Sequence, residues 1–118
     1  MTQEDKNLLL QDLCARLPYG VIVYDYDREE TREMGLGTLH DIMFNDLECK
    51  PYLRPMSSMT EEEKRYLMSL KYQPSAFKWK NLIISSQEII DWLNEHHFDY
   101  RGLISLGLAL EAPERMYE

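Results

Sequence analysis

An α+β domain, built as a small antiparallel sheet of three to four strands with an N-terminal helix and two to three C-terminal helices, is predicted by three features of the sequence. Residues 3–17 carry apolar side chains at three- and four-residue spacings, and residues 21–26 alternate. From residue 58 onward, serine or threonine repeatedly stands three residues ahead of glutamate, the sequence signature of a helix start. At 118 residues the chain has the length of a single domain with one core.

Taking the elements in order, Leu9, Leu10, Leu13, Cys14 and Leu17 line one stripe of the first helix. Thr2 caps it, Glu4 and Asp5 sit at its positive end, and Pro18 with Gly20 closes it. Alternation of Val21, Val23 and Asp25 against Ile22, Tyr24 and Tyr26 gives a strand, and Asp27 to Glu30 a hairpin turn. Residues 31–45 read as a second extended region on the β-formers Thr38, Leu39, Ile42 and Phe44, with a bulge or bend at Gly35 and Gly37. Residues 47–54 return as a third strand, which Pro51 assigns to an edge or ends early because proline cannot donate to a ladder.

Overlapping boxes, Ser58 with Glu61 and Thr60 with Glu63, start a helix near residue 60 that runs to about residue 70. Residues 76–84 alternate at first, Phe77 and Trp79 against Lys78 and Lys80, and supply a fourth strand. Ser85 with Glu88 opens a helix that ends near His96 or His97. Asp99 then caps a short helix over residues 100–106, Gly107 stops it, and Leu108-Ala109-Leu110 adds a short strand before the tail frays.

A formal charge of −8 at pH 7 repels a phosphate backbone unless the cations gather on one face, so nucleic acid is an unlikely partner. The densest basic stretch, Lys71 to Lys80, interleaves three lysines with Tyr72, Phe77 and Trp79, the elements of single-strand binding. A solvated loop is the commoner fate of such a run. Cys14 and Cys49 form neither a C-x-x-C motif nor a disulfide framework and read as buried free thiols. There is no membrane-length apolar run, and the opening M-T-Q-E-D-K has no leader architecture, so the expected location is the cytoplasm.

The blocks L-C-A-R-L-P-Y-G-V (13–21), K-P-Y-L-R-P-M-S-S-M-T-E-E-E (50–63) and I-D-W-L-N-E-H-H-F-D-Y-R-G-L-I-S-L-G-L-A-L-E-A-P-E (90–114) resemble a group of small uncharacterised proteins from gut Bacteroides-type bacteria and their phages. The resemblance implies a habitat, a bacterial cytoplasm or a mobile element within it, and no reaction. Arg115 stands where the group is associated with glycine.

Among candidate site residues, His96, His97 and Asp99 offer imidazole and carboxylate ligands for a metal or a general base, with His40 the remaining histidine. On that basis a metal-dependent hydrolase or nuclease is one alternative. Neighbouring helical residues point about 100° apart, which favours a helix end followed by a cap. Arg54 and Arg101 present planar forks suited to carboxylate or phosphate, and internal pairing with one of the 21 acids is their usual fate. The acidic run Asp25, Asp27, Glu29, Glu30 and Glu33 lacks a calcium-loop pattern, and Ser57 and Ser58 lack a nucleophile elbow. With no cofactor and no small molecule implied, the leading expectation is a non-enzymatic binding or regulatory protein. Its partner is another protein or a second copy, met through Tyr and Trp anchors such as Trp79 with Phe77, or through a sheet edge.

Overall fold

The computed structural model describes residues 2–71 and 78–117, with side chains described outside 70–86. The first helix, α1 (Gln3–Arg16), begins on a reciprocal cap. Asp5 N–H donates to Thr2 Oγ1 at 3.1 Å, and Asp5 reaches back to the Thr2 N–H at 3.4 Å. A 3-10 turn over Leu17–Tyr19 and the left-handed Gly20 end it, as the Pro18–Gly20 pattern predicts. Its buried stripe is Leu9, Asp12, Leu13 and Arg16, a three- and four-residue repeat that includes two charged residues. Cys14, expected in that stripe, is exposed, while Cys49 is buried.

Strands β1 (Ile22–Asp25), β2 (Glu30–Glu33), β3 (Cys49–Leu53) and β4 (Leu110–Glu111) form one sheet in the order β2-β1-β3-β4. The pairs β1–β2 and β1–β3 are antiparallel, with Val23 opposite Arg32 and Pro51, whereas β4 joins β3 in parallel, Tyr52 opposite Leu110. The α+β class with a small sheet and an N-terminal helix is as predicted. β3 is nevertheless internal, and Pro51 is accommodated because β4 begins pairing only at Tyr52, one residue past the proline.

Residues 31–45 are not one extended region. After β2 the chain turns into helix α2 (Leu36–Phe44), capped where Thr38 N–H meets the Gly35 carbonyl and Thr38 Oγ1 accepts from the Gly35 N–H. Gly35 and Gly37 therefore open a helix and make no bulge. Thr38, Leu39 and Ile42 face inward, a spacing that a strand would have split across two faces.

Helix α3 (Glu61–Lys71) starts on the Thr60–Glu63 box, Glu63 N–H to Thr60 Oγ1 at 3.1 Å and Thr60 N–H to Glu63 Oε1 at 2.9 Å. Ser58 lies instead in a 3-10 turn, its hydroxyl donating to the Pro55 carbonyl. The fourth strand expected at 76–84 is replaced by helix α4 (Lys78–Glu95), with residues 76 and 77 outside the described ones. Ser85, expected as a cap, is inside α4. Over a stretch that short, two alternating pairs do not separate a strand from a helix.

Residues 100–107 make a series of turns where a short helix was expected. Leu108 N–H still reaches the Leu103 carbonyl and Gly107 N–H the Ile104 carbonyl, with Gly107 left-handed at φ 76°, so the glycine closes a single turn. The main core packs α1 and α2 on the sheet through Leu9, Leu13, Val21, Val23, Ile42 and Leu53. A smaller cluster, Met59, Leu93 and Phe98, lies under α3 and α4. No helix of the described residues is long and apolar enough to cross a membrane.

Candidate functional site

The end of α4 closes on a six-to-one bond from the Phe98 N–H to the Leu93 carbonyl and a five-to-two bond from the His97 N–H to the Asn94 carbonyl. His97 therefore occupies the left-handed position that glycine usually takes, at φ 64°. Its ring is buried and stacks on Tyr117, centroids 3.6 Å apart, and Nδ1 has no hydrogen-bond partner among the described residues. His96, the residue before, points elsewhere and packs its ring against Trp92 at 4.5 Å. Both Asp99 oxygens are taken by backbone, from Leu103 N–H at 2.8 Å and Ile104 N–H at 3.0 Å. The three residues thus serve a helix end and a cap, and among the described residues no group of three or more His, Cys, Asp and Glu gathers as metal ligands would.

Burial, reinforced by the positive charges of Arg16, His96 and Arg54, pushes the His97 imidazole down to about 4 from an ordinary 6.5. The unfolded chain takes up that proton near 6.5 and the folded chain only near 4. The contribution of neutral His97 is therefore complete above pH 6.5 and is lost as pH falls from 6.5 towards 4. Urea midpoints measured across this window should fall for the natural sequence and fall less for His97→Asn, which tolerates the left-handed backbone. Equal pH dependence of the two proteins would show that another group governs it.

The two candidate arginines are both spent internally. Arg54 follows β3, forks onto Glu63 with contacts of 2.9 and 2.7 Å, and lays its guanidinium 4.1 Å from the centre of the Phe98 ring. The Arg54 hydrogen bond holds the Glu63 carboxyl down to about 2. Arg101 donates to Asp12 at 2.9 Å and stacks on Tyr100. Trp79 lies on α4 within the segment whose side chains fall outside the described ones, and the lysine-aromatic stretch 71–80 is interrupted by residues 72–77, which are outside altogether.

Three features of the structure have little or no signature in the sequence. The first is a buried charge cluster in which Asp12 accepts from Arg16 Nε at 2.8 Å, Arg16 Nη2 at 3.1 Å and Arg101, while Arg16 also donates to the Phe98 carbonyl at 2.7 Å. Its signal was an aspartate and an arginine four apart on the Leu9–Leu13 stripe. The second is Tyr117, whose hydroxyl accepts from Ile22 N–H at 3.0 Å and donates to the Tyr52 carbonyl at 2.6 Å, so it extends the β1–β3 ladder by one rung. The tail is thereby anchored where fraying was expected, and burial raises the phenol to about 12. Burial likewise lifts the Cys49 thiol to about 12, which leaves it unreactive.

The third feature is the outer face of α2. Leu36 is 73% exposed, Met43 50% and Phe44 69%, and the His40 ring lies tilted against Phe44 with centroids 4.9 Å apart. At about 100° per residue these positions span about 100° of the helix, on the side opposite Thr38 and Ile42. A helix that packs by one face ordinarily turns polar residues to water on the other. Here the second face is apolar as well. Just past its end lies a cleft of about 300 Å³ lined by Lys6, Ile42, Asp46, Leu47 and Glu48. A larger cleft of about 510 Å³ lies between the start of α3 and residues 111–117, but Arg54, Ser58, Thr60 and Glu63 on its wall are already hydrogen-bonded to one another or to backbone.

No family model, curated protein or solved structure matches the chain.

Proposed function

We propose that this chain is a small non-enzymatic binding or regulatory protein of a bacterial or phage mobile element, working in the cytoplasm through protein–protein contacts made by the outer face of α2. The observation that carries the reading is the row Leu36, His40, Met43 and Phe44, at the i, i+4, i+7 and i+8 spacing by which helices engage partners. Exposed apolar residues scattered singly need no explanation, whereas several gathered on one helical face do. The residues that first suggested chemistry support the same reading from the other side. His97 is stacked, Asp99 caps backbone, and Arg54 and Arg101 are paired to carboxylates.

Photo-crosslinking tests this directly. A benzophenone amino acid at position 44 or 36, in cells expressing the chain, is expected to give discrete protein adducts, and the same group at exposed Glu29 is not. Absence of adducts at both α2 positions would refute the contact surface.

A further inference from the structure

We propose that residues 113–117 form an acid-released strap, latched by Tyr117 onto neutral His97 and freed as a unit, with the rest of the chain still folded, when that histidine takes a proton. The device is independent of the α2 contact.

The strap forms one wall of the cleft of about 510 Å³, facing Pro55, Ser58 and Thr60. At its root the Ala112 N–H reaches the Leu53 carbonyl at 2.8 Å. At its far end the Tyr117 hydroxyl accepts from the Ile22 N–H at 3.0 Å and donates to the Tyr52 carbonyl at 2.6 Å, and the ring stacks on His97 with centroids 3.6 Å apart. Ile22 and Tyr52 stand one position beyond the Val23–Pro51 pair, so the hydroxyl occupies the place of a ladder rung. None of residues 110–117 reaches core burial, and the buried set ends at Ala109. A segment attached in this way opens at a lower free energy than the whole chain unfolds.

His97 supplies the trigger. A neutral imidazole has one N–H and the charged ring two, and Nδ1 has no hydrogen-bond partner among the described residues to receive the second. The groups acting on the ring make the charge costlier still. Arg16 from α1 and Arg54 after β3 are cations, His96 at the end of α4 becomes one in acid, and the strap brings only the neutral Tyr117 phenol. Nearby carboxylates are committed, Asp12 to Arg16 and Arg101, Glu63 to Arg54, and Asp99 to backbone. Burial and these charges hold the closed ring down to about 4, so a proton taken up near 6.5 selects the open strap, in which water reaches the ring. The strap is shut most firmly above pH 6.5, and each pH unit from there down towards 4 multiplies the open population by about ten.

NMR titration of the His97 ring, with native-state amide exchange, tests the device. In the natural sequence the ring should stay neutral to below about pH 5, and in Tyr117→Ala its midpoint should rise towards the ordinary 6.5. Tyr117→Phe keeps the ring and loses both hydroxyl bonds, so it should raise the midpoint by about one pH unit, and it carries the test if the alanine variant does not fold. The Ile22 amide, whose acceptor is the Tyr117 hydroxyl, should be less protected than the Leu13 amide in α1, and low urea should accelerate Leu13 and leave Ile22 nearly unchanged. From about pH 7.5 to about 5.5 Ile22 protection should fall about tenfold, and His97→Asn should abolish that fall.

A His97 midpoint that is the same with and without Tyr117 would show that the strap does not cover the ring. Equal protection and equal urea dependence of Ile22 and Leu13 would show that the strap opens only when the whole chain unfolds. Either result overturns the proposal.

Discussion

Asp12→Ala is expected to destabilise the protein by about 3–5 kcal/mol, the cost of breaking a buried ion pair by removing one partner. Both Asp12 and Arg16 side chains are fully buried. Without the carboxylate, the Arg16 guanidinium keeps the Phe98 carbonyl at 2.7 Å and the Tyr100 ring 5.3 Å away, and its Nη1 already lacks a hydrogen-bond partner among the described residues. A charge left in that position has neither water nor a counter-ion. Arg101→Ala should cost much less, because Asp12 retains Arg16 and the Arg101 side chain is partly exposed. Replacing the pair together, Asp12→Leu with Arg16→Met, should recover most of the loss, since apolar substitutes of similar volume avoid the desolvation that the pair incurs. Urea denaturation of the three variants measures these differences. An Asp12→Ala loss under about 1 kcal/mol would mean that water reaches the cluster.

Phe98→Ala is the second large effect, expected at about 3–5 kcal/mol by loss of a fully buried aromatic side chain and the cavity it leaves. The ring joins parts of the chain that are otherwise separate. It stacks on Trp92 at 5.6 Å, carries the Arg54 guanidinium on its face, and belongs to the cluster with Met59 and Leu93. Its own backbone receives Arg16 from α1 and pairs with Arg54 beside β3. Phe98→Leu should lose considerably less, because it keeps the volume and forfeits mainly the aromatic contacts. Similar losses for alanine and leucine would assign the energy to stacking and to the arginine contact, with little left for packing.

Where local chemistry decides structure, the sequence was readable. Thr2 and Thr60 cap their helices because each has an acid three residues on, and Val21 to Tyr26 alternate in and out as a half-buried strand does. α2 was misread because β-formers and two glycines were weighed above period. Thr38, Leu39 and Ile42, buried together on one helical face but split by a strand's alternation, carried the helical signal. The buried Asp12–Arg16 pair was not legible, since burying an ion pair is uncommon and a sequence does not announce it. Tyr117 had no local signature, and nothing beside His97 in the sequence pointed to the ring it stacks on. Their stack joins residues 20 apart, and the hydroxyl of Tyr117 completes a rung between residues 95 and 65 positions earlier.

The histidine, aspartate and arginine positions were legible as noteworthy, but their roles depended on what the fold placed beside them. Arg101 and Arg54 meet acids 89 and 9 positions away. The α2 face was hidden for a simpler reason. Only once the helix is known do Leu36, Met43 and Phe44 fall together and prove to be unburied.

The central claim is that α2 keeps this face apolar for a partner and not for its own fold. Equilibrium unfolding of the Leu36→Glu/Phe44→Glu protein tests that most directly. The stability should lie within about 0.5 kcal/mol of the natural sequence, as for surface substitutions away from packed features. A loss above about 2 kcal/mol would place these side chains in the service of the core and contradict the account.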